Sequence, residues 1–283
     1  MGKASKVKAE LSETGEILDL IQTLKDVADN KYFTLMAQKE QFRRFSESFI
    51  DFFRMLSFAK VKHPLVANNN PNIGILVITV EGSFLAGFNN NIIRRAFQEK
   101  DTCGGNVRFI GVGDKCEDQL SRHTPDLKMF REVETVGYYE TALAIKDYLF
   151  EEMLNDRLGR VHVCHSYPKS FETQKPRSNK LLPAEAMIQI QDQFVDSFEN
   201  TIQESQPADI IEFLANLWVT TRIYEILVDT TIASAAAQSN FLEDRVEKMN
   251  KEKKKVLMRY RKARKADIDK ALRETFTARS MVS

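Results

Sequence analysis

Cysteine is scarce in this chain of 283 residues. Its three cysteines, Cys103, Cys116 and Cys164, lie far apart and belong to no CxxC pair or Cys/His cluster. That pattern indicates neither a disulfide framework nor a zinc site, and it makes a reducing compartment the default. Long apolar runs are also missing. No stretch approaches the roughly 18 apolar residues that a membrane span needs. The opening Met1-Gly2-Lys3-Ala4-Ser5-Lys6 lacks a signal-peptide apolar core, and Lys6 stands where a myristoylation signal needs Ser or Thr. The expectation is a soluble protein that reaches a membrane only through partners. Helix breakers are absent from two long stretches. There is no proline before Pro64, only Gly2 and Gly15 interrupt residues 1–63, and residues 209–276 contain neither proline nor glycine. Nucleotide fingerprints are lacking too: Gly111-Val112-Gly113-Asp114-Lys115 fits neither GxxxxGK[ST] nor GxGxxG, so no nucleotide or other cofactor is assigned.

What is present is ordinary globular composition, 43% apolar and 29% charged, with a net charge of +1 that conceals a lysine- and arginine-rich stretch over residues 248–265. Steps of four and three residues pick out Ile17, Ile21, Leu24, Ala28, Lys31, Leu35, Gln38, Phe42, Phe45, Phe49, Phe52 and Leu56. This is a heptad stripe with two polar interruptions. With Gly15 at its start, such a helix would be roughly 65–70 Å long, too long to be covered by a compact domain of this size. The stripe recurs at Leu242, Val246, Met249, Lys253, Val256, Tyr260 and Ala263. Between the helices, apolar runs at 73–80, 107–112 and 161–165, with a weaker one at 133–136, alternate with helical patterns at 89–99, 116–123 and 139–155. The fold class expected is therefore α/β: a long antiparallel coiled coil of the terminal helices bracketing a small, mostly parallel, Rossmann-like sheet. The expected divisions are an N-terminal helix over 1–66, an α/β domain over 67–185 and a C-terminal helix over 186–283.

Four segments then resemble one family. Residues 256–268, centred on Tyr260-Arg261-Lys262-Ala263-Arg264-Lys265-Ala266, are similar to the Tyr-Asn-Lys-Ala-Arg-Gln-Ala-x-Ile segment of the gamma subunits of F-type ATP synthases. Gly87-Phe88-Asn89-Asn90-Asn91 resembles that family's Gly-x-Asn-x-Asn turn, and Val27-Ala28-Asp29-Asn30-Lys31 its Val-Ala-Ala-x-Lys. Gln174-Lys175-Pro176 with Leu181-Leu182-Pro183, following Tyr167, gives the fourth match. Two places depart from the pattern. Glu81-Gly82-Ser83-Phe84-Leu85-Ala86 replaces Asp-Arg-Gly-Leu-Cys-Gly, and Ser234-Ala235-Ala236-Ala237-Gln238-Ser239 replaces Ser-Glu-x-Ala-Ala-Arg.

The resemblance implies a non-catalytic central rotor. Its implied partners are a hexamer of alpha and beta subunits, an epsilon subunit and a membrane c-ring, with no nucleic acid. Its implied place is the cytoplasmic side of a bacterial-type membrane, held there peripherally through those partners. Carried over by motif, Arg264, Lys265 and Asp269 match the positions that engage an acidic loop of a beta subunit, Arg264 through bidentate bonds and Lys265, in place of the usual Gln, as a point charge. Contacts to the ring and epsilon are expected near residues 200–209. Other readings are blander. Lys31 and Lys253 are read as stems snorkelling past the stripe, and the phenylalanine series as helix–helix core. His162 and His165, three apart on a strand, point to opposite faces and do not share a metal. No catalytic residue is assigned. A rotor of a specialised F-type-like ATPase, a coiled-coil scaffold without rotary partners and a small α/β enzyme with helical arms remain the alternatives.

Overall fold

The computed structural model describes residues 3–54, 63–81, 86–131, 133, 135–184 and 206–280. The elements are α1 (Lys3–Arg54), β1 (Ile73–Ile78), α2 (Ala86–Cys103), β2 (Val107–Val112), α3 (Glu117–Leu120), β3 (Lys128–Phe130), α4 (Tyr138–Leu154), β4 (Arg160–Pro168), β5 (Gln174–Leu182) and α5 (Pro207–Ser280). The chain forms two compact units, residues 1–30 with 238–283, and residues 31–237. No helix among the described residues is long and apolar enough to cross a membrane.

In the larger unit the strand order is β3-β2-β1-β4-β5, with β1, β2, β3 and β4 parallel and β5 antiparallel to β4. Every residue of β1 is buried, as a strand covered on both faces must be. Ile73, Ile75 and Val77 pack on one face with Ile92, Ile93 and Ala96 of α2 and Phe109 of β2. Leu76 and Ile78 face the other way, into a larger core with Ile145, Leu149 and Met153 of α4 and with Leu214, Val219, Ile223 and Ile226 of α5. Tyr32 and Leu35 of α1 belong to that core, and the Tyr32 ring meets Phe171 edge-on with centroids 4.9 Å apart.

The third strand forms at Lys128–Phe130, upstream of the expected 133–136, where Thr135–Gly137 instead makes a single 3₁₀ turn. Register explains the placement. Gly111 of β2 pairs with Met129, whose sulfur lies where a side chain on residue 111 would stand. β5 escaped the sequence reading because it is an edge strand, charged and carrying Pro176, with only Leu181 and Leu182 buried at its end. Asn68, Asn70 and Asn72 order the loop before β1: Asn68 accepts from the Asn70 amide, Asn70 from the Asn72 amide, and Asn72 caps the 157–160 turn through its carbonyl.

Candidate functional site

In the smaller unit the two long helices run antiparallel. Successive contacts join Asp29 to Ser239, Lys25 to Glu243, Glu10 to Arg259 and the Ala4 amide to Asp267 Oδ2 at 3.2 Å. On α5 the expected stripe holds: Leu242, Val256 and Ala263 are buried, and Val246, Met249, Lys253 and Tyr260 half-buried. On α1 it holds in part: Ala28 and Leu35 are buried and Ile21 and Leu24 half-buried, whereas Ile17 is 42% exposed and Lys31 and Gln38 are exposed, and Val7, Leu11, Thr14, Leu18 and Lys25 add a second buried or half-buried heptad. Both registers are heptads through Ile21 and Ala28, and only pairing with α5 selects between them. The helix begins at Lys3, so Gly15 sits inside it. Phe42, Phe45, Phe49 and Phe52 lie on α1, but their side chains, like residue 56 and the foot segment 200–205, fall outside the described residues.

Arg264, Lys265 and Asp269 stand exposed on α5, and among the described residues none of them meets an ion-pair partner. Their neighbours are engaged: Arg259 donates to Glu10, and Lys270 lies 3.7 Å from Glu274. Past the Ala4 to Asp267 contact, α5 carries Ile268, Leu272 and Phe276 at 50, 53 and 70% exposure. Steps of four put them on one side of the helix, beside Lys265. Two cations without an ion-pair partner among the described residues thus run into an exposed apolar ridge, a surface whose chemistry is complementary to carboxylates beside an apolar socket.

The model of one family, ATP synthase, matches residues 3–280. The chain belongs to the ATP synthase gamma family. Relatives include the ATP synthase gamma chain of Pelotomaculum thermopropionicum, 26% identical over 220 residues that cover 76% of this chain and 75% of that one. The gamma chain of Desulforamulus reducens is 23% identical over 280 residues, 97% of each chain. In fold the chain is similar to the central stalk with c-ring of the Tetrahymena thermophila mitochondrial ATP synthase, at a TM-score of 0.58 and 16% identity, covering 80% of this chain and 98% of that one. It is also similar to the rotor of the Euglena gracilis mitochondrial ATP synthase, at 0.55 and 15%, covering 94% and 98%. The chain is thus a gamma-type, non-catalytic subunit of a rotary F-type ATP synthase.

One of the other segments, Gly87 to Asn91, braces the fold. Asn89, buried in the first turns of α2, clamps the end of β1: its Oδ1 accepts from the Val80 amide at 3.1 Å and its Nδ2 donates to the Val80 carbonyl at 2.8 Å. The Gly113 turn has φ 84°, and the amide of Asp114 behind it donates to Glu81 Oε1 at 2.9 Å. That amide is therefore already bonded to a carboxylate of the chain itself. His162 and His165 do face opposite sides. His162 Nδ1 lies 2.8 Å from Glu99 of α2. His165 is buried with Nδ1 donating to the Ser166 carbonyl and Nε2 accepting from Asn179, and burial pushes its pKa down to about 4.

Sequence reasoning missed two polar arrangements. Glu152 of α4, 5% exposed, is neutralised by Arg108 at 2.7 Å and Arg157 at 3.0 Å. It also missed Glu99, Cys103 and His162, three potential ligands whose donor atoms lie within 4.8 Å of one another. The signal for the pair on α2 was the i, i+4 spacing, but nothing in the sequence ties them to a strand nearly sixty residues away.

Proposed function

We propose that this gamma-type chain is the central rotor of its ATP synthase, with residues 1–66 and 186–283 supplying the shaft and 67–185 the α/β body. The paired helices turn inside a hexamer of alpha and beta subunits, and the rest bears on a c-ring and an epsilon subunit. Rotation changes nothing unless the shaft meets the surrounding subunits unequally. The observation that carries the reading is the one-sided end of α5: Arg264 and Lys265, which meet no ion-pair partner among the described residues, continue into the exposed Ile268, Leu272 and Phe276. As this strip sweeps past successive beta subunits it binds one conformation of an acidic loop better than the others, and that difference shifts the populations of the catalytic sites.

Arg264 is assigned bidentate bonds to a beta-subunit carboxylate, Lys265 a supporting point charge, and Asp269 the acceptance of donors from the same loop. The relatives named as gamma chains come from bacteria, which supports a peripheral position on the cytoplasmic side of the cell membrane. Membrane contact is then made only through partners, and the machine couples ion flow through the ring to ATP synthesis or hydrolysis. The test is purification of the tagged chain from its native cell, with quantitative mass spectrometry of what remains bound through gel filtration. One copy with three alpha and three beta subunits is the expected result. Recovery of the chain alone, or with unrelated proteins, would leave the helical pair without its rotary role.

A further inference from the structure

We propose that Glu99, Cys103 and His162 form a three-ligand site for a borderline-soft divalent transition metal, zinc above all, pinning the end of α2 to β4. Glu99 and Cys103, one helical turn apart near the end of α2, present their side chains on one face, and His162 of β4 stands opposite. His162 Nδ1 and Cys103 Sγ both converge on Glu99 Oε1, at 2.8 and 3.9 Å. A tetrahedral zinc holds such donors about 3.4–3.6 Å apart, so small side-chain rotations bring the three to its corners. The second carboxylate oxygen of Glu99 is held by Arg95 at 3.0 Å, which leaves Oε1 facing the other two donors. That outer partner orients the ligand in the way that supports metal sites generally.

Chemistry selects the metal. One sulfur, one imidazole nitrogen and one carboxylate oxygen suit zinc, cobalt or nickel and disfavour magnesium or calcium, which take all-oxygen cages. Glu99 is 8% exposed, whereas Cys103 and His162 are half-buried, so the site is sheltered yet reachable from solvent. Three protein ligands leave a fourth position for water. The site lies wholly in the α/β part and stands or falls independently of the rotor reading.

The experiment uses the full chain, freed of metal with a chelator, confirmed folded by circular dichroism and titrated with Co²⁺ and then Zn²⁺. One Co²⁺ per chain, with the visible bands of tetrahedral cobalt and a thiolate charge-transfer band, displaced by Zn²⁺ but not by Mg²⁺, is the expected result. Cys103→Ser should remove the charge-transfer band, and His162→Gln should weaken binding by about tenfold or more. Cys116→Ser, whose thiol is buried beside the Val112 and Gly113 carbonyls, should change neither. Absence of saturable binding by the folded chain, or binding unchanged in both ligand variants, overturns the proposal.

Discussion

Lys253, a cation inside the apolar stripe of α5, lays its ammonium over Gly15 of α1, 3.6 Å from where a Cβ on that glycine would stand. The end of the half-buried lysine side chain thus rests over the glycine. The contact is ordinary van der Waals spacing, so the room is larger than the lysine needs.

Gly15→Ala is therefore expected to stabilise the chain. Gly15 is helical, and the added methyl meets only Lys253 Nζ at 3.6 Å and its Cε at 3.9 Å. Replacing glycine by alanine inside a helix gains about 1 kcal/mol where nothing clashes. Chemical denaturation of the two proteins checks this, and a loss of stability would show that the pair is packed more tightly at that point.

The Ser239 hydroxyl donates to Asp29 Oδ1 across the helix pair, with Ser239 fully buried and Lys25 salt-bridged to the same aspartate at 3.0 Å. Ser239 stands where the gamma pattern has Arg, and the structure puts it in contact with Asp29 of the matching segment on α1. A buried hydrogen bond to a charged acceptor contributes about 1.5–3 kcal/mol. Asp29→Ala and Ser239→Ala should each destabilise, and the double variant should cost at least about 1 kcal/mol less than their sum. Strict additivity in urea unfolding would mean that the two do not act as a pair.

Acid should weaken the α/β part through His165. Its pKa is about 4 in the fold, with burial the main cause and the Arg222, Arg177 and Lys39 charges adding to it, against an unperturbed value near 6.5. The folded state thus refuses a proton that the unfolded chain accepts. Stability is intact above about pH 6.5, falls as pH drops toward 4, and the total loss is about 3 kcal/mol. His63, also held below its usual value by burial, acts in the same direction. Melting temperatures between pH 7.5 and 4.5 should fall less steeply in His165→Gln than in the parent, and parallel curves would assign the acid sensitivity elsewhere.

Charge reversal at the end of α5 separates assembly from coupling. Arg264→Glu with Lys265→Glu changes exposed side chains that have no partner among the described residues, so the chain should fold with its stability altered by no more than about 0.5 kcal/mol. In the assembled complex the same pair should lower ATP turnover at least tenfold if each cation meets a carboxylate. Unchanged turnover would reduce the basic run to a solvated helix face.

Sequence alone settled the elements whose signal is local. Two breaker-free heptad stretches imply long helices that must cover each other, and the short apolar run 73–78, bounded by turn residues, reads as a strand buried on both faces. The stripe Leu242 to Ala263 kept its register because apolar residues alone occupy it apart from Lys253. The tertiary structure decided what depends on a partner element. Ile17 and Leu18 offer α1 two equally good heptads, and only the surface of α5 buries one of them. β5 exists because β4 lends it hydrogen bonds that its own charged sequence does not announce, and β3 forms where Met129 can fill the space over Gly111. The Glu99, Cys103 and His162 cluster, likewise, arises only when the sheet brings β4 beneath α2, since side chains far apart in sequence acquire a common chemistry only through packing.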